Sequence, residues 1–184
     1  MSMDNGKLIA FEGIDGAGTT TQIRFAGDFL RQEGFEVHET AEPSTGFIGI
    51  GIRDILKGDQ STTSEALALL FAADRLDHVA KEIQPNLQEG RIVLTDRYLL
   101  SSLAYQSMDN PLEWICALNS KAWRPDLNIY FQISPSKAVA RVKSRGGPEE
   151  LFDAQVKQEK IAQAYEEVSQ RQDIGLVRNI NAEK

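Results

Sequence analysis

The residues best suited to chemistry form a glycine-rich segment near the N-terminus. Residues 8–22 read LIAFEGIDGAGTTTQ, an apolar run followed by glycines and then threonines. Such a turn between a strand and a helix aims backbone N–H groups at phosphate oxygens. The pattern G-x-x-x-x-G-K-[ST] is met at Gly13, Gly18 and Thr20, but Thr19 replaces the lysine. This phosphate loop predicts a nucleotide site formed by Gly13, Ile14, Asp15, Gly16, Ala17, Gly18, Thr19, Thr20 and Thr21.

The threonine at position 19 removes the mobile positive charge of that pattern. Losing one preorganised stabilising group costs about 10²–10³ in rate, whereas enzymes accelerate reactions by about 10⁶–10¹⁷. We therefore expect a slow or compensated enzyme, with a degenerate nucleotide-binding protein as the competing interpretation. A glycine-rich turn without a ligand is the simplest alternative. Against it, Thr20 remains available to ligate Mg²⁺, and Asp15 adds a carboxylate that no turn needs.

An acid and a base follow a second apolar run. Asp96 and Arg97 follow the apolar residues 92–94 after one threonine, Thr95. A parallel sheet keeps its ligands at the carboxyl ends of its strands, so both side chains are expected there. Asp96 can order a water bound to Mg²⁺, and Arg97 can grip a phosphate in bidentate fashion. A surface ion pair is the alternative, but the position after a phosphate loop favours the functional interpretation.

Three side chains share one face of a predicted helix. Phe71, Arg75 and His78 fall at i, i+4 and i+7. An aromatic plane beside a guanidinium can stack a base and bond to its edge or its phosphate. Phe71 alone would be a core residue, and Arg75 in a buried stretch needs a partner. Asp74 or Asp77 is one possible partner, and an anionic ligand is the other.

Short apolar runs alternate with helical stretches along the chain, which predicts βαβ units and a parallel sheet. We expect strands at residues 8–11, 35–38, 92–94, 127–133 and 175–180. A helix is predicted over residues 62–80, capped by Ser or Thr at its start. It should be largely buried over residues 66–73, which are apolar on nearly all sides. Pro85 and Gly90 are expected to close this segment.

The last third of the chain contains a candidate lid. Residues 136–143 and 151–170 have helical patterns, and the sequence RGGP at 145–148 breaks them. Arg141, Lys143 and Arg145 lie beside this break and are candidates to replace the charge missing at Thr19. The alternative is a loop with solvated charges. We expect the lid segment at about 141–153 within one domain spanning residues 1–184.

Composition limits the classes of function. The chain has 184 residues with a formal charge of −7, which argues against a nucleic-acid partner. Cys116 is the only cysteine, which favours a reducing cytoplasm, and His38 and His78 lie far apart in sequence. Neither a signal peptide nor an apolar run long enough for a membrane span is visible. We therefore expect a cytoplasmic protein without a membrane or nucleic-acid partner.

Five segments, taken together, resemble thymidylate kinases. They are FEGIDGAGTTTQ at 11–22, AEP at 41–43, LLFAADR at 69–75, DRYLLSSLAYQ at 96–106 and RPDL at 124–127. They recur in the expected order over nearly the whole chain. The resemblance implies an α/β fold of the P-loop NTPase, nucleoside monophosphate kinase type: a three-layer, doubly wound, parallel five-stranded sheet. It also implies ATP with Mg²⁺ as donor, dTMP as acceptor, and a homodimer.

The resemblance also implies roles for individual residues. Phe71 would stack on thymine, Arg75 would approach the base edge, and Arg97 would bind the acceptor phosphate. Asp15 would sit near the sugar hydroxyl and the phosphates. The acceptor pocket would be formed by Asp15, Pro43, Phe71, Arg75, Arg97, Ser102, Tyr105 and Gln106. Thr20 and Asp96 would serve Mg²⁺, and the catalytic set would be Asp15, Arg97, Arg141 and Arg145.

The chain departs from the family pattern at phosphate-facing positions. Thr19 replaces the lysine, and Ala41 stands where many members carry an arginine before Glu-Pro. Gly16 resembles the subgroup that brings a basic residue from the lid, which agrees with Arg141 and Arg145. The predicted function is phosphoryl transfer from ATP to dTMP. The alternatives are a kinase for another nucleoside monophosphate and a catalytically weak nucleotide-binding protein.

Overall fold

The centre of the molecule is a five-stranded parallel sheet. The computed structural model describes residues 6–144 and 151–183, without the side chains of 151–154. The strand order is β2-β3-β1-β4-β5. The strands are β1 (Lys7–Glu12), β2 (Val37–Ala41), β3 (Ile92–Asp96), β4 (Leu127–Gln132) and β5 (Val177–Asn181). This sheet, with helices on both sides, confirms the predicted α/β fold class.

The register of the sheet brings the two polar segments together. Phe11 at the end of β1 pairs with Asp96 at the end of β3, and β2 ends with Ala41 opposite Asp96. The N–H of Arg97 continues the ladder by donating to the carbonyl oxygen of Phe11 at 2.9 Å. The phosphate loop and the residues that follow β3 therefore leave the sheet side by side, as the sequence predicted.

Eight α-helices are described in the ranges above. They are α1 (Thr19–Gln32), α2 (Phe47–Lys57), α3 (Ser64–His78), α4 (Gln84–Gln88), α5 (Leu99–Gln106), α6 (Leu112–Leu118), α7 (Pro135–Ser144) and α8 (Leu151–Val168). Helix α1 packs on β1, β2 and β3, while α5 packs on α8. Among the described residues no helix has the length and apolarity needed to cross a membrane.

Strand β2 begins and ends later than predicted. The expected strand was 35–38, but the ladder with β3 runs from Val37 to Ala41. Phe35 lies outside the strand, and its N–H donates to the carbonyl oxygen of Leu30 at the end of α1. The polar sequence of β2 hid its extent, because an edge strand is held by its ladder and needs few apolar residues.

The long helix is capped as predicted, but it is not largely buried. The Thr63 hydroxyl accepts the N–H of Ala66 at 3.2 Å, which fixes the start of α3. Only one side of α3 faces the core: Ala68 and Ala72 are buried, whereas Leu69 is 50% exposed. The prediction of burial was wrong because apolar composition does not fix which faces find a neighbour.

Two further local expectations were wrong or incomplete. Pro85 does not end the segment, since a single π-helical stretch (Val79–Ile83) leads directly into α4, whose first turn contains Pro85. Proline is tolerated there because the first turn leaves its N–H groups unpaired. Helix α2 was not predicted at all. Its glycines weaken the helical pattern, yet Gly49 is required because a Cβ there would lie 2.0 Å from the Ser44 carbonyl oxygen.

Candidate functional site

An open cleft of about 300 Å³ lies at the carboxyl ends of β1, β2 and β3. The phosphate loop forms one wall of this cleft, and the residues that follow β2 and β3 form the other. The lining residues are Ile14, Asp15, Gly16, Gly18, Thr19, Thr20, Thr21, Ala41, Glu42, Asp96 and Arg97. Most of the predicted cofactor-binding residues and both predicted metal ligands thus share one cavity.

The shape of the phosphate loop depends on two glycines. Gly16 and Gly18 have φ values of 91° and 94°, in the left-handed region that favours glycine. A Cβ on Gly16 would also lie 2.4 Å from the carbonyl oxygen of Ala138 in α7. Gly18 caps α1, whose first N–H groups lack helical acceptors and suit an anion. The loop therefore has the backbone geometry of an anion cradle.

Two threonines of the loop have different surroundings. Thr19, at the position of the missing lysine, is 8% exposed and lines the cleft. The Thr20 hydroxyl donates to Oδ2 of Asp96 at 2.5 Å. A hydroxyl and a carboxylate are hard oxygen ligands of the kind Mg²⁺ prefers, so these two residues fit that ion. The predicted pair for Mg²⁺ is thus brought together from positions 76 residues apart.

Arg97 faces the cleft from an uncommon backbone conformation. Its φ is 67°, the only positive value for a non-glycine residue in the described part of the chain. Such a conformation costs about 1–3 kcal/mol and is found mainly at functional sites. Its Nη1 donates to the carbonyl oxygen of Gly13 at 3.1 Å, and its Nη2 pairs with Oδ1 of Asp15 at 2.5 Å. The guanidinium is thereby held against the phosphate loop.

Asp15 connects the loop to two helices. Its Oδ1 also accepts from the Tyr105 hydroxyl of α5 at 3.2 Å, and its Oδ2 accepts from Nε2 of Gln158 in α8 at 3.3 Å. The Tyr105 ring lies 5.0 Å from the Arg97 guanidinium carbon. Gln158 was not anticipated, because a glutamine in a charged, exposed-looking helix carries no sequence signal.

Arg75 occupies a buried cluster beneath the cleft. It is 1% exposed and donates to Oε2 of Glu42 at 2.6 Å and to the Ser102 hydroxyl at 2.8 Å. It also donates to the Tyr98 carbonyl oxygen and to Oδ1 of Asn119. Of the alternatives left open by the sequence, neither Asp74 nor Asp77 is the partner of Arg75, and Glu42 takes that place. The carboxylates of Asp74 and Asp77 bind the Ser44 N–H and Lys81 respectively, because they leave the helix in other directions.

The other residues predicted for the acceptor pocket lie on α3, on α5 and just after β2. Phe71 is half-buried on α3, and Gln106 is half-buried on α5. Oε1 of Gln106 is buried and has no hydrogen-bond partner among the described residues. Pro43 is half-buried after a cis peptide bond with Glu42. Their contacts with a nucleotide base stay predictions, as does the approach of Arg75 to the base edge.

Helix α7 brings one predicted lid cation close to the phosphate loop. Nη1 of Arg141 donates to the Gly16 carbonyl oxygen at 3.5 Å, and Nη2 donates to the Ala182 carbonyl oxygen at 3.0 Å. The side chain thus lies between the loop and the segment that follows β5. Arg145, the second predicted lid cation, and the break at 145–148 lie outside the described residues.

Sequence reasoning missed a polar cluster beneath Arg97. Glu12, the last residue of β1, is completely buried, and Ser101 of α5 and Tyr165 of α8 surround it. Burial raises the pKa of Glu12 to about 7, although the Ser101 hydrogen bond and the charge of Arg97 oppose that rise. An acid within an apolar strand, directly before the first loop glycine, was the available signal.

Comparison with known proteins agrees with this geometry. The family model described as thymidylate kinase matches residues 11–183. A probable thymidylate kinase of Pyrococcus abyssi is 42% identical over 166 residues, covering 87% of this chain and 81% of the relative. The thymidylate kinase of Desulfotalea psychrophila is 39% identical over 184 residues, covering 99% and 89%. The chain belongs to the thymidylate kinase family.

Proposed function

We propose that this chain transfers the γ-phosphoryl group of ATP to dTMP, giving dTDP and ADP, within the cleft described above. The observation that carries the proposal is the position of Arg97, whose guanidinium faces the phosphate loop across Asp15. A triphosphate in the loop and a monophosphate at Arg97 would then face each other in one cavity. Phosphoryl transfer depends on such positioning and on neutralisation of charge more than on covalent participation of the protein.

The backbone amides of residues 16–20 and the N-terminus of α1 would hold the donor phosphates. Thr20 and Asp96 would hold Mg²⁺, which neutralises charge on the donor phosphates when it is bound. The Thr20 hydroxyl oxygen lies 2.5 Å from Oδ2 of Asp96 on the wall of the cleft, which supports this assignment.

The acceptor phosphate would exchange with the Asp15 carboxylate at Arg97. A phosphate is a stronger bidentate acceptor for guanidinium than one carboxylate oxygen, so Nη2 would move from Asp15 to the ligand. Asp15 and the Tyr105 hydroxyl would then be available to the sugar. Phe71, Pro43, Ser102 and Gln106 would form the remaining acceptor pocket, with Arg75 below them.

Arg141 would replace the positive charge of the missing lysine. Its guanidinium lies at the loop carbonyl of Gly16, so it can deliver positive charge beside the phosphates when a donor binds. Arg145 would add a second cation as part of a lid at about 141–153. Helix α7 and the loop are tightly packed at Gly16, which leaves no room for an arginine at that position.

The test is the rate of ADP formation from ATP with dTMP, dUMP and dGMP as separate acceptors. We expect turnover to depend on dTMP. Preference for another acceptor would identify a different monophosphate kinase, and tight binding without turnover would identify a nucleotide-binding protein. The Thr19→Lys variant sharpens the test: a gain in rate shows an uncompensated loss, and no gain indicates that other groups supply the charge.

We also propose that the protein is a cytoplasmic homodimer with one domain. The unpaired Cys116 supports a reducing compartment. Large apolar side chains are exposed on the adjacent helices α2 and α3, which supports an interface there. They are Phe47, Ile50, Leu56, Leu69 and Leu76. Light scattering of the wild type and the Phe47→Glu variant tests this proposal, because the charged variant should be monomeric.

A further inference from the structure

The cluster beneath Arg97 contains an acid that the proposed reaction does not use directly. Glu12 is 0% exposed and ends the central strand β1, where its backbone pairs with Tyr130 of β4. Burying a carboxylate is costly unless it is paired with a cation or fully hydrogen-bonded. Glu12 has no direct hydrogen bond to an arginine among the described residues, and its Oε1 has no partner there. A carboxylic acid buried with so few partners indicates a role that an amide or an apolar residue could not fill.

The other oxygen of Glu12 organises two hydroxyl groups. Oε2 accepts the Ser101 N–H at 3.1 Å and the Ser101 hydroxyl at 2.5 Å. The Tyr165 hydroxyl lies 3.4 Å from the same oxygen and 2.6 Å from Oγ of Ser101. An ionised carboxylate can only accept, so the Ser101 proton must point toward Glu12. The lone pairs of Ser101 are then turned away from Glu12.

Both hydroxyls meet the same guanidinium nitrogen. Nη1 of Arg97 donates to Oγ of Ser101 at 3.3 Å and to the Tyr165 hydroxyl at 3.4 Å. A guanidinium can only donate, so it needs these oxygens as acceptors. An ionised Glu12 produces that orientation, whereas a protonated Glu12 becomes a donor and competes with Arg97 for the same lone pairs.

We propose that Glu12 is a positioning residue that, through Ser101 and Tyr165, orients Arg97 for the acceptor phosphate. The inference rests on the role of Arg97 in the proposed function. Glu12 also places a second negative charge near the guanidinium, in addition to that of Asp15. Other charged groups around it are Arg75 of α3 and Glu42 after β2, of which the first favours ionisation and the second opposes it.

The arrangement makes the orientation of Arg97 depend on pH. The pKa of Glu12 is raised by burial to about 7, so the carboxyl changes charge near neutral pH. Below that pH the protonated carboxyl of Glu12 competes with Arg97 as a hydrogen-bond donor to the Ser101 and Tyr165 oxygens. Binding and turnover of the acceptor should then weaken.

The experiment compares the wild type with Glu12→Gln, which keeps the shape of the side chain and mimics its uncharged state. At pH 8 we expect kcat/KM for dTMP to fall by about 10- to 100-fold in the variant, as for other lost supporting contacts. The ratio of wild type to variant should decline toward one at acid pH, with a midpoint near 7. Ionisation of dTMP and ATP affects both proteins equally and cancels in this ratio.

The matched control is Glu39→Gln, which neutralises a glutamate paired with Arg31 at 2.7 Å on β2. The ratio of kcat/KM between the wild type and Glu39→Gln should be independent of pH. A ratio of wild type to Glu12→Gln that is one at pH 8, or that is above one but constant across pH, would overturn the proposal. Circular dichroism shows whether each variant is folded, and Ser101→Ala provides a second variant that removes the bridging hydroxyl and should reproduce the loss.

A spectroscopic measurement separates this inference from the proposed function. The NMR signal of the Arg97 side-chain Nε–H, assigned with Arg97→Lys, should shift with a midpoint near pH 7 in the ligand-free wild type and not in Glu12→Gln. If the wild type has no dTMP turnover but the signal titrates, the proposed function fails and the Glu12 linkage stands. If dTMP turnover is normal and the signal does not titrate, Glu12 does not position Arg97.

Discussion

Arg75 and Arg97 are the same residue type in neighbouring environments, yet the structure uses them differently. The side chain of Arg75 is 1% exposed, whereas that of Arg97 is 24% exposed. The partners of Arg75 are Glu42 after β2, Tyr98 before α5, Ser102 of α5 and Asn119 after α6. Arg97 contacts the phosphate loop, the exposed carboxylate of Asp15 and the hydroxyls of Ser101 and Tyr165.

The difference lies in what each arginine would lose if a phosphate approached. Arg75 would have to break a buried ion pair with Glu42 and several hydrogen bonds, which is costly in a medium of low polarity. Arg97 needs to exchange only an exposed pair with Asp15, and such pairs contribute about 0–1 kcal/mol. The comparison indicates that Arg75 stabilises the floor of the cleft, while Arg97 is available to a ligand.

The largest expected effect comes from replacing the buried arginine, Arg75. Arg75→Met removes the guanidinium partner of the buried Glu42 and leaves that carboxylate with the contact to His78, so we expect a loss of about 3–5 kcal/mol in the free energy of unfolding. Chemical denaturation measures this loss. A variant with wild-type stability would show that Arg75 is held less firmly than its contacts indicate.

Replacing Arg97 should slow the reaction and leave the protein folded. Arg97→Ala should lower kcat/KM for dTMP by about 10²–10³, because a preorganised cation facing the phosphates is lost. Its melting temperature should fall less than that of Arg75→Met, since Arg97 is less buried and its ion pair is with an exposed carboxylate. Steady-state kinetics and thermal unfolding measured on the same sample test both parts, and a large drop in stability would contradict the distinction.

Glu12, the acid beneath Arg97, should make the stability of the fold depend on pH. Its pKa is about 7 when folded and 4.5 as a reference, so the folded state binds this proton more tightly. The contribution of Glu12 to the free energy of unfolding is therefore fully present below pH 4.5. It is lost as the pH rises through 7, by about 3 kcal/mol in total. Subtracting the Glu12→Gln stability profile from that of the wild type isolates this change. A difference that rises with pH would contradict it.

The smallest effect is expected at the lid helix. Arg141→Gln should lower kcat by about 10-fold, because one of several charges around the donor phosphates is removed. Its effect should shrink in the Thr19→Lys background, since the lysine would restore charge at the same phosphates. Kinetics of both single variants and the double variant provide this cycle. Additive effects would show that the two positions act independently.

The sequence predicted the elements whose signals are local. The strands and their parallel arrangement, the phosphate loop and the cap of α3 each depend on patterns within a few residues. The structure also brings Thr20 and Asp96 together, because the positions of parallel strand ends follow from the topology. Where helix α3 would be exposed could not be predicted, because that depends on which elements pack against it.

The sequence by itself determined the family, the glycine-rich turn between β1 and α1 and the parallel strands, because each follows from residue types at short spacing. Tertiary structure alone decided the partner of Arg75, the left-handed backbone of Arg97 and the cluster around Glu12. Glu12 meets residues 89 and 153 positions away. Contacts at such separations arise from packing of the whole chain, and no local pattern of residues specifies them.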